Sequence, residues 1–112
     1  MVGQIAKVKG TRVVAVAGSD AKCAVLTGER FDAALNYLDG GFRAALKAAT
    51  PDGIDLYFDN TGGDILAAAL RRMKVHGRIV CCGVRNPRRA YRRLSGPDDL
   101  IREHRSAGGH VW

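Results

Sequence analysis

The fold of this chain is decided by residues 53–63, GIDLYFDNTGG. Residues 54–58 have the apolar, β-forming composition of a buried strand, and the polar and glycine residues after them predict a tight turn. Beyond the turn, apolar residues recur at helical spacing from Ile65 to Met73. The stretch therefore predicts a strand, a polar turn and an amphipathic helix, which together make half of a βαβ unit.

The turn after this strand is also the best candidate for contact with a ligand. In open α/β sheets, ligands bind just past the carboxyl ends of the strands. Asp59, Asn60 and Thr61 occupy that position. Asn60 has an ordinary structural explanation as well, because asparagine is favoured in turns. On composition alone, both roles stay open for this residue.

The other segments alternate between the two kinds of pattern. Helical patterns cover residues 2–8, 21–27 and 42–49, and strand patterns cover residues 12–17, 33–37 and 78–83. Gly10 follows the first helix where a helix C-terminus favours glycine, and Asp20 is predicted to be the N-cap of the second. This order predicts an α/β fold with a mainly parallel sheet, helices on both faces and right-handed crossovers.

Length and composition are those of a globular domain. The chain has 112 residues, of which 46% are hydrophobic and 26% are charged. Its longest apolar runs are far below the roughly 18 residues that a membrane span needs, so we expect no membrane segment and a cytoplasmic location. Three cysteines lack the paired spacing of a zinc site, which predicts reduced thiols and no metal site.

The charge is uneven and marks the one candidate boundary. Residues 1–83 carry 11 basic and 8 acidic side chains, whereas residues 84–112 carry seven arginines, no lysine and three acids. We predict a domain over residues 1–83 and an arginine-rich tail over residues 84–112. Three explanations of the tail stay open: a solvated surface, which is the usual one for so short a patch, a nucleic-acid contact, or a shifted reading frame of a GC-rich gene.

Lys22 can be explained in two ways. After the strand at residues 12–17, a dinucleotide-binding fold presents the group that reads the adenosine ribose. An acid there suits NAD, whereas serine and lysine suit the extra phosphate of NADP. Asp20 is better explained as the N-cap than as a ribose ligand, a role that would reverse this cofactor preference. A lysine in the first turn of a helix opposes the helix dipole, which points to a nearby anion, but a solvated surface lysine explains it equally well. Tyr37 has an equally ordinary explanation as a half-buried aromatic at a strand end.

Several segments together resemble a known family. They are VGQIAKVKGTRVV (residues 2–14), AGSDAKC (17–23), LNY (35–37), PDGIDLYFDNTGG (51–63) and GRIVCCG (77–83). These segments are similar to the Rossmann-like cofactor domain of the zinc-independent medium-chain dehydrogenase/reductases. Within that family the chain resembles the leukotriene/prostaglandin and 2-alkenal reductases, which are NADPH-dependent enzymes that reduce the carbon–carbon double bond of enals and enones.

The resemblance implies a cofactor, NADP, and residues that bind it. Lys22 and Tyr37 would bind the 2′-phosphate, with Ser19 beside them. Asn60 would contact the cofactor past the strand at residues 54–58, and Cys82 and Gly83 would line it past the strand that follows. An ammonium group and a phenol at a strand end suit a phosphate. No catalytic residue is assigned.

The chain departs from the family's pattern in ways that bear on function. Family members have an amino-terminal substrate domain, and then a strand and a glycine-rich loop before the residues that match Val2 and Gly3; the loop anchors the pyrophosphate. Without that strand, the strands at residues 12–17 and 54–58 are predicted to pair directly, so that their buried backbone groups are satisfied.

Two functions follow from these patterns. The first is the NADP(H)-binding part of an oxidoreductase that acts on enals and enones, inactive as an isolated chain. The alternative is a non-catalytic module that forms homo-oligomers, or binds another chain, through the edge of an incomplete sheet. Nucleic-acid binding is not expected.

Overall fold

The computed structural model describes residues 1–82 and 110–111. These residues form, in chain order, α1 (Val2–Val8), β1 (Val14–Ala17), α2 (Asp20–Gly28), β2 (Ala33–Asn36), α3 (Phe42–Ala49), β3 (Ile54–Asp59), α4 (Gly63–Leu70), β4 (Met73–Cys81) and β5 (His110–Val111). Every strand pair among them is parallel. The predicted α/β class with a parallel strand arrangement is therefore confirmed.

The chain divides into two compact units, Met1–Pro51 and Asp52–Trp112. The boundary predicted between residues 83 and 84 lies at the edge of the described residues and stays a prediction. The arginine-rich tail lies outside the described residues except for β5, a strand that the sequence pattern did not indicate.

In the first unit, β1 and β2 pair along their whole length, from Val14 opposite Ala33 to Ala17 opposite Asn36. The helix α2 connects them, as a parallel pair requires. The strand β1 begins two residues later than its pattern predicts. Arg12, which precedes it, instead donates a hydrogen bond of 3.1 Å from Nη2 to the carbonyl oxygen of Ala49 at the end of α3. A cation is favourable at that end of a helix.

In the second unit, the core lies between α4 and the central strand of the order β3–β4–β5. Leu66, Leu70 and Ile79 form its buried centre, and Tyr57 and Met73 pack against them together with Cys81. All six residues from Ile65 to Leu70 are buried. The helix α4 can be buried so completely because three of those six are alanines, which allow close packing without a loss of helix propensity.

The start of β4 corrects one expectation. Met73 continues the apolar spacing of the preceding helix, yet α4 ends at Leu70 and Met73 is the first residue of β4, opposite Ile54. The register then shifts, and Leu56 lies opposite Arg78. Gly77 is required in this bulge because a Cβ atom there would lie 2.9 Å from the carbonyl oxygen of Lys74.

The predicted direct pairing of the strands at residues 12–17 and 54–58 is wrong. The described strands form two separate sheets, β1–β2 and β3–β4–β5, with no ladder between β1 and β3. The prediction assumed that both strands are buried. All four residues of β1 are only partly buried, so the backbone groups on its outer edge do not require a partner from the protein.

Asp32 makes hydrogen bonds whose contribution to the stability of the first unit depends on pH. Its Oδ2 atom accepts hydrogen bonds from the amide of Val13, at 2.6 Å, and from Nζ of Lys7, at 2.9 Å. The bond from the Val13 amide and then the bond from Lys7 lower the pKa of Asp32 below its ordinary value of 3.8. A carboxyl whose pKa is lower in the folded state stabilises the fold above the unfolded pKa, and this contribution is lost as the pH falls through the folded value.

We expect Asp32→Asn to be less stable than the unmodified chain at pH 6, and the difference to shrink steadily as the pH falls below 3.8. Urea unfolding followed by circular dichroism at several pH values measures this difference. Asp52→Asn, in an exposed turn, is the matched control and should change the stability little at pH 6. A difference for Asp32→Asn that does not change with pH would contradict the expectation.

Candidate functional site

The first group of predicted site residues lies where β1 ends. Ser19 has extended backbone angles, φ −157° and ψ 154°, and its Oγ atom accepts a hydrogen bond from the amide of Lys22 at 3.3 Å. Ser19 is therefore the N-cap of α2, and the prediction that Asp20 is the cap is wrong. The reason is geometric: Asp20 is already the first helical residue, and its side chain is used elsewhere.

Asp20 is held by the end of the neighbouring strand. Nδ2 of Asn36 donates a hydrogen bond of 2.9 Å to Oδ1 of Asp20, while Oδ1 of Asn36 accepts from the amide of Leu38 at 3.0 Å. The acid that could have accepted hydrogen bonds from a ribose thus already has a partner within the protein. The groups at this edge that can donate to an anion are the hydroxyl of Ser19, the ammonium of Lys22 and the phenol of Tyr37.

Tyr37 lies against the end of β1. Its amide donates to the carbonyl oxygen of Ala17 at 3.0 Å. Its ring lies on Gly18, where an added Cβ atom would be 3.1 Å from the phenolic oxygen and 3.3 Å from two ring carbons. The absence of a side chain at residue 18 therefore lets the phenol lie against Gly18, the residue before the N-cap of the helix that carries the exposed Lys22.

Gly18→Ala is expected to weaken binding of 2′,5′-ADP, a nucleotide that carries the 2′-phosphate, by about 2- to 10-fold, the equivalent of one displaced neutral hydrogen bond. The new methyl group would push the Tyr37 ring away from the end of β1. Isothermal titration calorimetry measures the loss. Gly28→Ala is the matched control, because nothing lies within 4 Å of a Cβ atom there. Equal affinities for the two variants would show that the position of the ring is unimportant.

The second group lies at the ends of β3 and β4. Asn60 is exposed and begins the turn after β3, and Cys82 is exposed and directly follows β4. The amide of Cys82 donates a hydrogen bond of 2.8 Å to the carbonyl oxygen of Asp59. These two predicted residues thus lie at the carboxyl ends of adjacent parallel strands, which is where α/β sheets bind ligands.

Asp59 itself is turned inward and anchors the turn. It is only 1% exposed. Its Oδ1 atom accepts hydrogen bonds from the hydroxyl of Tyr57 at 3.1 Å, from the amide of Thr61 at 3.3 Å and from the amide of Gly62 at 2.9 Å. The expectation that Asp59 lies among the ligand-contacting residues is therefore not supported by its burial. Its spacing of two from Tyr57, which puts both side chains on one face of a strand, is the signal that could have revealed the anchor.

The groups around Asp59 are held in their neutral forms. Burial, followed by the nearby charge of Asp59, raises the pKa of the Tyr57 phenol far above its ordinary value. Burial, followed by the charges of Asp59 and Cys82, also raises the pKa of the Cys81 thiol, which lies opposite Asp59 in the sheet. A thiol with a raised pKa is a poor nucleophile at neutral pH, so Cys81 is suited to packing rather than chemistry.

The structure thus brings together two sets of predicted residues, one in each unit. The first set is Ser19, Lys22 and Tyr37, and the second is Asn60 and Cys82. Gly83 lies outside the described residues. The roles of all six in binding the cofactor stay predictions.

Two further features of the described residues bear on function. None of their helices is long and apolar enough to cross a membrane. Within residues 1–82, no group of three or more His, Cys, Asp or Glu side chains is placed so that it could hold a metal ion.

Comparison with known proteins gives matches along nearly the whole chain. A family profile described as zinc-binding dehydrogenase matches residues 1–111. Prostaglandin reductase 1 of Bos taurus is 52% identical over 84 residues, which are 74% of this chain and 26% of that protein. (+)-Pulegone reductase of Mentha piperita is 48% identical over 86 residues, which are 75% of this chain and 25% of that protein.

A solved structure gives the same result for the fold. CurA from Vibrio vulnificus, in complex with NADPH, is 30% identical and superposes with a TM-score of 0.88, covering 100% of this chain and 34% of that one. The chain thus spans only about a quarter to a third of the proteins that it matches. The parallel strands predicted from the sequence are those of a solved fold that binds NADPH. Because the family profile matches residues 1–111, the chain belongs to the zinc-binding dehydrogenases, the medium-chain dehydrogenase/reductase family that its sequence resembles.

Proposed function

We propose that the chain is the NADP(H)-binding part of an oxidoreductase that reduces the activated carbon–carbon double bonds of enals and enones. The observation that carries the proposal is the contact of Tyr37 with Gly18, beside the helix that Ser19 caps and that carries Lys22. The relatives support it: two of them are named as reductases, and CurA was solved with NADPH.

The residues of the first unit fit a phosphate. Lys22 would supply a positive charge, and the phenol of Tyr37 would supply a neutral donor. The Oγ atom of Ser19 already accepts a hydrogen bond from the amide of Lys22, which leaves its own hydrogen available to donate. An anion at this place would also offset the unfavourable position of a lysine in the first turn of α2.

The cofactor would supply the chemistry of the reaction, which is hydride transfer to the substrate. In the second unit, Asn60 would offer both a donor and an acceptor to polar groups of the cofactor, and Cys82 would line it together with Gly83. The neutral Tyr57 and Cys81 would act only through packing and through the hydrogen bond from Tyr57 to Asp59. We assign no proton transfer to any of these residues.

We also propose that the activity is independent of zinc and that the protein is cytoplasmic. The first proposal is supported by the cysteines, which lack the paired spacing of a zinc site. The second is supported by the state of the same residues, because Cys23, Cys81 and Cys82 are all free thiols, as is usual in a reducing compartment. The comparisons give no support to the alternative of a non-catalytic module that forms homo-oligomers.

Two titrations test the proposal. The fluorescence of NADPH and of NADH is followed as each is mixed with the purified chain, and we expect binding of NADPH with clear preference over NADH. Because the chain spans about a quarter of its relatives, we expect it to bind NADPH without consuming it when an enal is added. A folded chain that does not bind NADPH at millimolar concentration would overturn the proposal.

A further inference from the structure

The buried carboxyl group of Asp59 is unusual for its residue type. Carboxyl side chains are almost never fully buried unless they have partners, yet Asp59 is only 1% exposed. Among the described residues, all hydrogen bonds to its side chain fall on Oδ1, which accepts three. The other oxygen, Oδ2, is buried with no hydrogen-bond partner among the described residues, which is unfavourable by about 1–3 kcal/mol. The three bonds at Oδ1 offset part of this cost.

Two of these three bonds hold the backbone of the turn. The amides of Thr61 and Gly62 both point at Oδ1, so the side chain replaces the hydrogen bonds that a regular turn would make within its own backbone. Gly62 and Gly63 follow with φ values of 67° and 65°, a region that residues other than glycine rarely adopt. Most sequences do not favour a turn with two such residues in succession. Here the hydrogen bonds to the side chain of Asp59 stabilise it.

The hydrogen bonds to Asp59 restrict the conformation of Asn60. It lies between Asp59, whose side chain is fixed, and Thr61, whose amide is fixed, and its own side chain is exposed at the end of β3. Fixing the backbone on both sides of one residue limits the directions in which its side chain can point. Ordering the residue in the free protein also lowers the entropy that a ligand must overcome on binding.

We propose that Asp59 is a positioning residue, which holds Asn60 in place for the nicotinamide mononucleotide half of NADP(H). This inference rests on the proposed function. Dinucleotide folds consist of two halves that each bind one mononucleotide. The residues proposed for the 2′-phosphate, which belongs to the adenosine end, follow β1 and β2, whereas Asn60 follows β3, later in the chain. Its amide suits the neutral hydroxyl and carboxamide groups of the nicotinamide half.

Two nucleotides distinguish this role from a general contribution to folding. NADPH contains both halves, whereas 2′,5′-ADP carries the 2′-phosphate and lacks the nicotinamide half. We expect Asp59→Ala to weaken NADPH binding about tenfold, the effect of losing one well-placed polar contact, and to leave 2′,5′-ADP binding unchanged. Asp59→Asn keeps an oxygen that can accept from both amides, so we expect it to retain nearly the full affinity for NADPH. Calorimetric titration measures all of these affinities.

The matched control is Asp55→Ala, on the same strand. Asp55 is exposed and forms an ion pair with Lys74, at 3.1 Å, so we expect its variant to bind both nucleotides as the unmodified chain does. If Asp59→Ala does not fold, Asp59→Glu takes its place. Glutamate keeps the acceptor atoms but is longer by one methylene group, so it shifts the turn and should weaken NADPH selectively.

The outcomes separate the two proposals. If the Asp59 variants lose affinity for NADPH and for 2′,5′-ADP to the same extent, Asp59 only supports the fold. If their affinity for NADPH is unchanged, Asp59 does not position Asn60. Either result overturns the inference while the proposed function stands. A folded, unmodified chain that binds 2′,5′-ADP but not NADPH would overturn the proposed function together with the inference. Failure to bind either nucleotide would overturn the proposed function itself.

Discussion

Replacing Lys22 with alanine is expected to weaken NADPH binding by about 10- to 100-fold, which is the range for losing a hydrogen bond to a charged group, and to leave NADH binding unchanged. The difference arises because only NADPH carries the 2′-phosphate. Lys22 is exposed at the first turn of α2, so salt screens its interaction with an anion, and the loss should be largest at low ionic strength. Fluorescence titrations of both nucleotides at two salt concentrations measure these effects.

Two further variants isolate the contribution of position from that of charge. Lys9→Ala removes the same charge from an exposed lysine in the same unit, and it should change neither affinity by more than about twofold. Lys22→Arg keeps the charge and should retain most of the affinity for NADPH. Equal losses of NADPH affinity for Lys22→Ala and Lys9→Ala would mean that the chain attracts the nucleotide only through its net charge, and that Lys22 has no specific role.

Leu66→Ala is expected to lower the free energy of unfolding of the second unit by about 2–5 kcal/mol. Leu66 is 0% exposed and lies at the centre of the cluster with Leu70 and Ile79, so the substitution removes apolar contacts and leaves a cavity that a packed helix cannot readily fill. Urea unfolding measured by circular dichroism gives the change in stability.

Leu56→Ala is the matched control for this variant. It makes the same chemical change in the same unit, but Leu56 is 55% exposed on β3, so the loss should stay below about 1 kcal/mol. Similar losses for the two variants would show that the cluster around Leu66 is not the centre of the core. Titration of Leu66→Ala with 2′,5′-ADP under folding conditions then tests whether the first unit binds its nucleotide without full stability of the second.

Local pattern was sufficient for most of the elements. The helix at residues 42–49 was predicted with the bounds that α3 has, and the strand at residues 54–58 is one residue shorter than β3. These segments have strong periodicity and are bounded by turn residues such as Gly53, whose φ of 85° favours glycine. Parallel pairing was predictable for a related reason, because strands that alternate with helices return in the same direction.

The predictions that failed depended on contacts between residues far apart in the sequence. Met73 fits the spacing of α4, but it begins β4 because its partner Ile54, 19 positions earlier, extends the ladder. Asp20 was predicted to be the cap, but Asn36 from β2 takes its carboxylate, and Ser19 caps the helix. In each case a residue with two acceptable local roles was assigned one of them by a distant partner.

The candidate site shows the same division between local and distant information. The amino-acid sequence alone was enough to identify the residue types at the strand ends, because a hydroxyl, an ammonium and an amide keep their chemistry in any fold. Their arrangement required the folded chain: Tyr37 approaches the end of β1 only because Gly18 leaves room for its ring, and the turn at Asn60 is held by an aspartate whose burial no local pattern reveals. The burial of a side chain and its close contacts depend on neighbours from several elements, and these neighbours meet only when the elements have packed.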